Sequence, residues 1–337
     1  MAFRRISTLE YLLLVELDTL DRAVVEALRL DGRVPFSVLA EVLGVSDQTV
    51  ARRYRRLRAE AGLRVAGLPD GVRLGYDMWL IRLQAPSDTA ISVAEALARR
   101  PDTTWITLMS GGTEVTCVVQ GSSGSEREAL LLQKLPRTPR LGSVRAYCLM
   151  HYFVGGPVGG ESRITTLTPE QVARLRPPPP AAPPGPPGPG VLESDGPLLT
   201  ALARDGRLGH PELAAATGWS ESKVRRRLDQ LRSAGAVFFD VDVDSTLLGF
   251  HARVMLWLTV APGRLAEVGA ALAGHPQIVF AAATTGETNL VATVVCPDMA
   301  GLYAYLTTGI GALPGVERLE STPAVRHVKQ TAARWFP

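Results

Sequence analysis

The chain has 337 residues, 46% hydrophobic and 20% charged, which is ordinary for a folded protein, unlike a disordered one, and longer than one core usually runs. A formal net charge of only +3 excludes a strong polyanion binder by bulk charge, so any contact with nucleic acid must come from local clustering. Cys117, Cys148 and Cys296 are widely separated, with no CxxC or Cys/His cluster; this argues against a disulfide framework or a metal site and predicts buried thiols in a reducing compartment.

Residues 1–16 read as an N-terminal extension, in which the apolar run Tyr11 to Val15 lies between Glu10 and Glu16 and is too short for a signal-peptide core. No stretch approaches the ~20 apolar residues of a membrane span, so a cytoplasmic protein is expected. Residues 17–66 read as a helical domain. Leu20, Val24, Ala27 and Leu28 share one helical face, Asp31-Gly32 stops that helix, and Val38, Leu39, Val42 and Leu43 begin a second stripe. Gly44 ends the second helix and Ser46 offers an N-cap for a third.

In that third helix Val50, Tyr54 and Leu57 form the buried seam, so Gln48, Thr49, Arg52 and Arg56 are expected to face away, with Arg53 and Arg55 on the flanks. Five arginines against Asp47 alone between Ser46 and Arg58 give a local charge of +4. Such a face suits DNA, because a helix N-terminus and arginines bind phosphate while Gln and Arg reach base edges in the major groove.

Residues 67–155 change in pattern. Trp79–Leu83, Thr103–Leu108, Val115–Val119 and Val144–Phe153 read as strands, and Ile91–Arg99 and Ser125–Lys134 as helices, giving β-α-β-β-α-β. Residues 156–190 then hold a short capped helix at Thr168-Pro169-Glu170 and a proline-rich run from Pro177 to Gly190, which reads as an extended spacer.

Beyond the spacer the same unit returns at an offset of about 174 residues, with a second helical domain over 191–240 and a second α/β domain over 241–337. Asp31-Gly32-Arg33 recurs as Asp205-Gly206-Arg207, Gly44-Val45-Ser46 as Gly218-Trp219-Ser220, and Val50, Arg52, Arg53 and Leu57 as Val224, Arg226, Arg227 and Leu231. In the second third-helix, Val224, Leu228 and Leu231 form the seam, while Ser220 caps and Ser222, Lys223, Arg226 and Arg227 supply the polar, basic surface. The fold expected is α+β: two winged helix-turn-helix domains, each followed by a ferredoxin-like βαββαβ domain.

The run Leu17-Asp18-Thr19-Leu20-Asp21-Arg22, with Asp31-Gly32-Arg33, Leu39-Ala40, Gly44-Val45-Ser46, Val50, Arg53, Leu57 and Gly62-Leu63, resembles the DNA-binding domain of the Lrp/AsnC (leucine-responsive) regulators. The β-α-β-β-α-β pattern that follows resembles that family's ligand-sensing and oligomerisation domain. The resemblance implies a transcriptional regulator that binds double-stranded DNA, pairs its sensing domains by sheet contact, here within one chain, and self-associates further. It also implies a small effector such as an amino acid near the turn between the second and third strands, which here holds Gly111, Gly112 and Glu114, and Thr285, Gly286 and Asn289. Glu114 and Asn289 stand where the family carries aspartate.

No catalytic residue, cofactor or metal site is expected, since the five histidines are scattered without companions at meaningful spacing. Two other readings stay open. Some proteins of this tandem architecture resemble decarboxylases acting on modified tetrapyrroles, and a degenerate second helix-turn-helix would suit a sensing or scaffolding protein.

Overall fold

The structure is a computed structural model that describes residues 15–71, 73, 77–100, 102–120, 134–135, 137–159, 166–178 and 189–330. The first helical domain comprises α1 (Thr19–Leu30), α2 (Phe36–Leu43) and α3 (Asp47–Glu60), followed by strand β1 (Arg64–Pro69). Each boundary has a local cause. Asp18 and Asp21 form a capping box at the start of α1, Gly44 ends α2 in the left-handed conformation at φ 67°, and the Ser46 hydroxyl accepts from the Thr49 N–H at the start of α3. Val24, Leu28, Leu39, Val50, Tyr54 and Leu57 close the core between the three helices.

The first α/β domain contributes β2 (Met78–Gln84), α4 (Ser87–Ala98), β3 (Thr103–Met109), β4 (Glu114–Gln120) and β5 (Ser143–Val154). The helix expected over Ser125–Lys134 lies outside the described residues except for Lys134, as does most of the proline-rich run. The short helix α5 (Pro169–Leu175) starts at Thr168 as expected, and it is not a loose part of the spacer. Leu167 and Leu175 enter the core of the first helical domain, Gln171 donates to the Val42 carbonyl, and the buried Glu26 carboxylate accepts from the N–H groups of Thr166 and Leu167.

The second copy runs α6 (Pro189–Arg204), α7 (His210–Thr217), α8 (Glu221–Ser233), β6 (Val237–Asp242), β7 (Ala252–Val260), α9 (Leu265–Gly274), β8 (Ile278–Thr284), β9 (Leu290–Cys296), α10 (Met299–Ala304) and β10 (Val316–Lys329). Leu198, Leu202, Leu213, Val224, Leu228 and Leu231 pack its helical core.

The two copies meet twice. First, β1 pairs antiparallel with β6, from Arg64 opposite Asp242 to Pro69 opposite Val237, so the wings of the two helical domains form one ribbon. Second, the two four-stranded sheets join end to end: β5 pairs with β8 and β10 pairs with β3, closing an eight-stranded barrel in the order β10-β3-β4-β2-β5-β8-β9-β7. The two sensing domains thus pair by sheet contact within the chain, as expected. Helices α4 and α9 cover the outside of the sheets over separate apolar cores, and Leu80, Tyr147, Leu149, Trp257 and Val291 form a further core shared by both copies.

Candidate DNA-binding and effector sites

The outward face of α3 is thinner than its composition suggests. Gln48 and Arg52 are exposed, Thr49 is half-buried beside its capping partner Ser46, and among the described residues Arg52 makes no side-chain hydrogen bond or ion pair. Arg53 and Arg56 correct the expectation of a fully free basic face. Arg53 lies 2.6 Å from Asp18 and 3.4 Å from Asp21, and Arg56 lies 3.1 Å from Asp21 and 3.0 Å from Glu60. The reason is helical spacing: three and six residues after Val50, both side chains sweep past the seam toward the N-terminus of α1, where Asp21 is wholly buried. Burial pushes the Asp21 carboxyl up, while the hydrogen bond from Asp18 and the charges of Arg56 and Arg53 oppose that.

The second copy repeats the arrangement. Arg227 grips the buried Asp195 with contacts of 2.6 and 2.9 Å, so it too is a structural cation. Ser220 caps α8 and lies 3.1 Å from the Ser222 hydroxyl, and the Lys223 ammonium rests 4.0 Å from the centre of the Trp219 ring. Ser222, Lys223 and Arg226 are exposed, and among the described residues Arg226 makes no side-chain hydrogen bond or ion pair.

The repeated Asp-Gly-Arg turns do more than stop a helix. Arg207 donates to the carbonyls of Gly32 (2.8 Å) and Val34 (2.9 Å) of the first copy, and Arg33 donates to those of Gly206 and Leu208 (3.0 Å) of the second. Arg58, at the end of α3, lies 3.0 Å from Asp205, and its counterpart Arg232 lies 3.0 Å from Asp31. These four reciprocal contacts describe a pseudo-two-fold clasp. Gly206 donates to the Val65 carbonyl at 2.7 Å, and a Cβ there would fall 3.0 Å from the Gly67 nitrogen, so the close approach of the two units requires glycine. Burial lowers the Arg33 guanidinium to about 10, with Arg232 and Arg207 adding repulsion.

The expected effector turns sit on the seams between copies. Gly111 and Gly112 have φ of 68° and 89° in a 3-10 turn, while Gly286 has φ 106° and the Thr285 hydroxyl accepts from the Cys148 N–H of β5. The two family-position side chains are already engaged, which the sequence did not foretell. Glu114 is buried 2.9 Å from Arg82, whose guanidinium also binds Glu320 and lies 4.6 Å from the Trp257 ring centre. Asn289 accepts from the Val260 N–H and donates to the Val260 carbonyl, tying the β8–β9 turn to the end of β7.

A different feature was missed in the sequence: a cavity of about 280 Å³ bounded by strands of both copies, the β1–β6 ribbon and α1. Arg29, Arg253, Asp240 and His327 line it beside Trp105, Tyr152 and Phe280. Among the described residues no His/Cys/Asp/Glu cluster suited to a metal is present, and no helix is long and apolar enough to cross a membrane.

Comparison with known proteins agrees with this geometry. Residues 17–58 and 193–232 match the AsnC-type helix-turn-helix domain, and residues 253–334 match the Lrp/AsnC ligand binding domain. The chain is 29% identical over 140 residues to the HTH-type transcriptional regulator FL11 of Pyrococcus horikoshii, covering 41% of this chain and 92% of that one. It is 31% identical over 133 residues to the HTH-type transcriptional regulator Rv2324 of Mycobacterium tuberculosis, covering 39% of this chain and 88% of that one. In fold, the siroheme decarboxylase NirDL is similar over 94% of both chains, with a TM-score of 0.58 and 16% identity. Two helix-turn-helix units, each leading into a four-stranded α/β domain, make this chain a tandem-duplicated member of the Lrp/AsnC family of transcriptional regulators.

Proposed function

We propose that the protein is a cytoplasmic, sequence-specific DNA-binding regulator in which α3 and α8 each present a reading face to a major groove, under the control of a small molecule. The observation that carries this reading is the division of labour among the arginines. Arg53, Arg56 and Arg227 are held by acidic side chains, whereas Arg52 and Arg226 project free at equivalent positions in the two copies, beside Gln48, Thr49, Ser222 and Lys223. The clasp holds these faces in a two-fold arrangement, which suits an imperfect palindrome with half-sites about one helical turn (~34–36 Å) apart or a multiple of it. Further association between chains follows the family habit.

Arg52→Ala tests the reading, because Arg52 supports no packing. Loss of a bidentate guanine contact costs about 1–3 kcal/mol on the selected site and little on random DNA, whereas loss of a phosphate contact weakens both and lowers the salt slope by roughly 1. Genomic fragments retained by the parent serve as the probe. A folded Arg52→Ala/Arg226→Ala variant that binds them undiminished at matched salt refutes the proposal.

The tetrapyrrole decarboxylase reading draws support from the whole-chain likeness to NirDL, but at 16% identity that likeness concerns the fold alone. The cavity, at about 280 Å³, falls just below the usual range of small-molecule pockets (~300–1,000 Å³) and is small for a macrocycle. The regulator is therefore the better-supported reading.

A further inference from the structure

The cavity between the two copies has an unusual electrostatic character. Arg29, from the last turn of α1, and Arg253, from β7, both face it. Among the described residues neither guanidinium makes a hydrogen bond or ion pair. Arg29 feels the pull of Asp240, Glu26 and Asp242, and Arg253 the repulsion of Arg29 and the pull of Asp240, Asp242 and Asp244, yet among the described residues none of these carboxylates forms an ion pair with either. Burial, with repulsion from Arg29, lowers Arg253 to about 10, and burial pushes the Asp240 carboxyl up; the lining residues Arg29 and Arg253 face Asp240 as the one carboxylate among the described lining residues. Arg29 and Arg253 are each partly buried, and a guanidinium drawn out of water without a partner is costly unless an anion meets it.

The remainder of the wall is mostly apolar, and its aromatic part is deliberately aimed. Trp105 has φ 54°, a left-handed backbone rare for a bulky residue, and it lies where the β3–β4 register shifts between Thr104 and Thr107. Its backbone N–H donates to the Gln330 carbonyl at 2.7 Å, and the indole lines the cavity with Tyr152 and Phe280. Strain of this kind collects at ligand sites. At about 280 Å³ the space is nearly twice that of an engineered cavity of ~150 Å³ that accepts benzene.

We propose that this cavity binds a small aryl carboxylate, with its carboxylate between Arg29 and Arg253 and its one or two rings against Trp105, Tyr152 and Phe280. The site is separate from the turns at Gly111 and Gly286, and it needs both copies, because Trp105 and Tyr152 come from the first and Arg253 and Phe280 from the second. A ligand there joins α1 of the DNA-binding unit to β7 of the sensing barrel. Its regulatory consequence rests on the DNA-binding reading; its occupancy does not and is tested with DNA absent.

The test is calorimetric titration of the full chain with phenylacetate and indole-3-acetate, and with the two corresponding amides. At least one acid should saturate one site per chain, with its amide at least tenfold weaker. Arg253→Met and Arg29→Met should each weaken that acid at least tenfold and leave the amide unchanged. Arg253→Met should also melt no lower than the ligand-free parent, since it removes an unpaired cation. Neither acid binding more tightly than about 1 mM, acid and amide binding equally, undiminished binding by both variants, or a lower melting point for Arg253→Met would each overturn the proposal.

Discussion

Replacing Arg207 by methionine probes the clasp that couples the two helix-turn-helix units. The change keeps an apolar stem but removes hydrogen bonds of 2.8 and 2.9 Å to Gly32 and Val34 and the guanidinium 4.5 Å from the Phe36 ring centre. Hydrogen bonds to charged groups contribute about 1.5–3 kcal/mol each, and a cation–π contact adds ~0.5–2 kcal/mol. Burial of the guanidinium lowers its pKa, so part of that gain is offset by recovered hydration. We expect a net destabilisation of about 2–4 kcal/mol, read as a lower urea midpoint by far-ultraviolet circular dichroism. Arg33→Met, its pseudo-symmetric equivalent, should cost a similar amount. Because both arginines hold one interface, the double variant should fall short of the summed single effects by ~0.5–3 kcal/mol. Arg207→Lys should recover only a minor part, since an ammonium cannot span two carbonyls as a planar fork does. Single effects below about 0.5 kcal/mol, or strict additivity, would refute the reasoning.

Two further outcomes follow from buried ionisable groups. His327 lies with Nδ1 2.9 Å from the Thr107 hydroxyl, and burial, with Arg253 nearby, holds its pKa well below the ordinary 6.5. The unfolded chain therefore takes up a proton near pH 6.5 that the folded chain refuses; stability is complete above that pH and declines below it, by up to about 1.4 kcal/mol per pH unit. His327→Gln should flatten this decline between pH 6.5 and 5, and an unchanged slope would count against it. Glu114→Gln removes one of the two carboxylates on the buried Arg82, leaving Glu320 to carry the charge, so a loss of about 1–3 kcal/mol is expected in denaturant titrations. No loss would mean that Glu320 alone balances Arg82.

Much of the architecture was legible because it is written in short-range patterns. The seam Val50, Tyr54 and Leu57, the Gly44 stop and the Ser46 cap are readable within a few turns of helix, and their recurrence about 174 residues later announced the duplication. What escaped depends on distant partners. Arg53 and Arg227 each find their aspartate 32 residues upstream on another helix, so local counting took them for free cations. Glu114 looked like an effector residue by its place in a turn, but its partner Arg82 is delivered by strand pairing of β2 with β4. Arg29 and Arg253 carried no local signal, since their cavity exists only after the two copies join. One clue was available: Asp31, Arg58, Asp205 and Arg232 recur in matching pairs at the same offset, which fits side chains that meet across a two-fold axis.

Closure of the barrel by both halves leaves the sheet without a free edge, and this bears on inheritance as much as on mechanics. A subunit of a two-chain regulator is available for exchange with any paralogue whose edge strands fit. Here each half meets its partner at an effective concentration set by the tether, typically in the millimolar range, so mixed pairing is suppressed in favour of the half encoded beside it. The two halves can therefore accumulate different substitutions, such as a Thr49 bonded to its cap Ser46 in one and a Lys223 stacked on Trp219 in the other, without producing a population of mismatched assemblies.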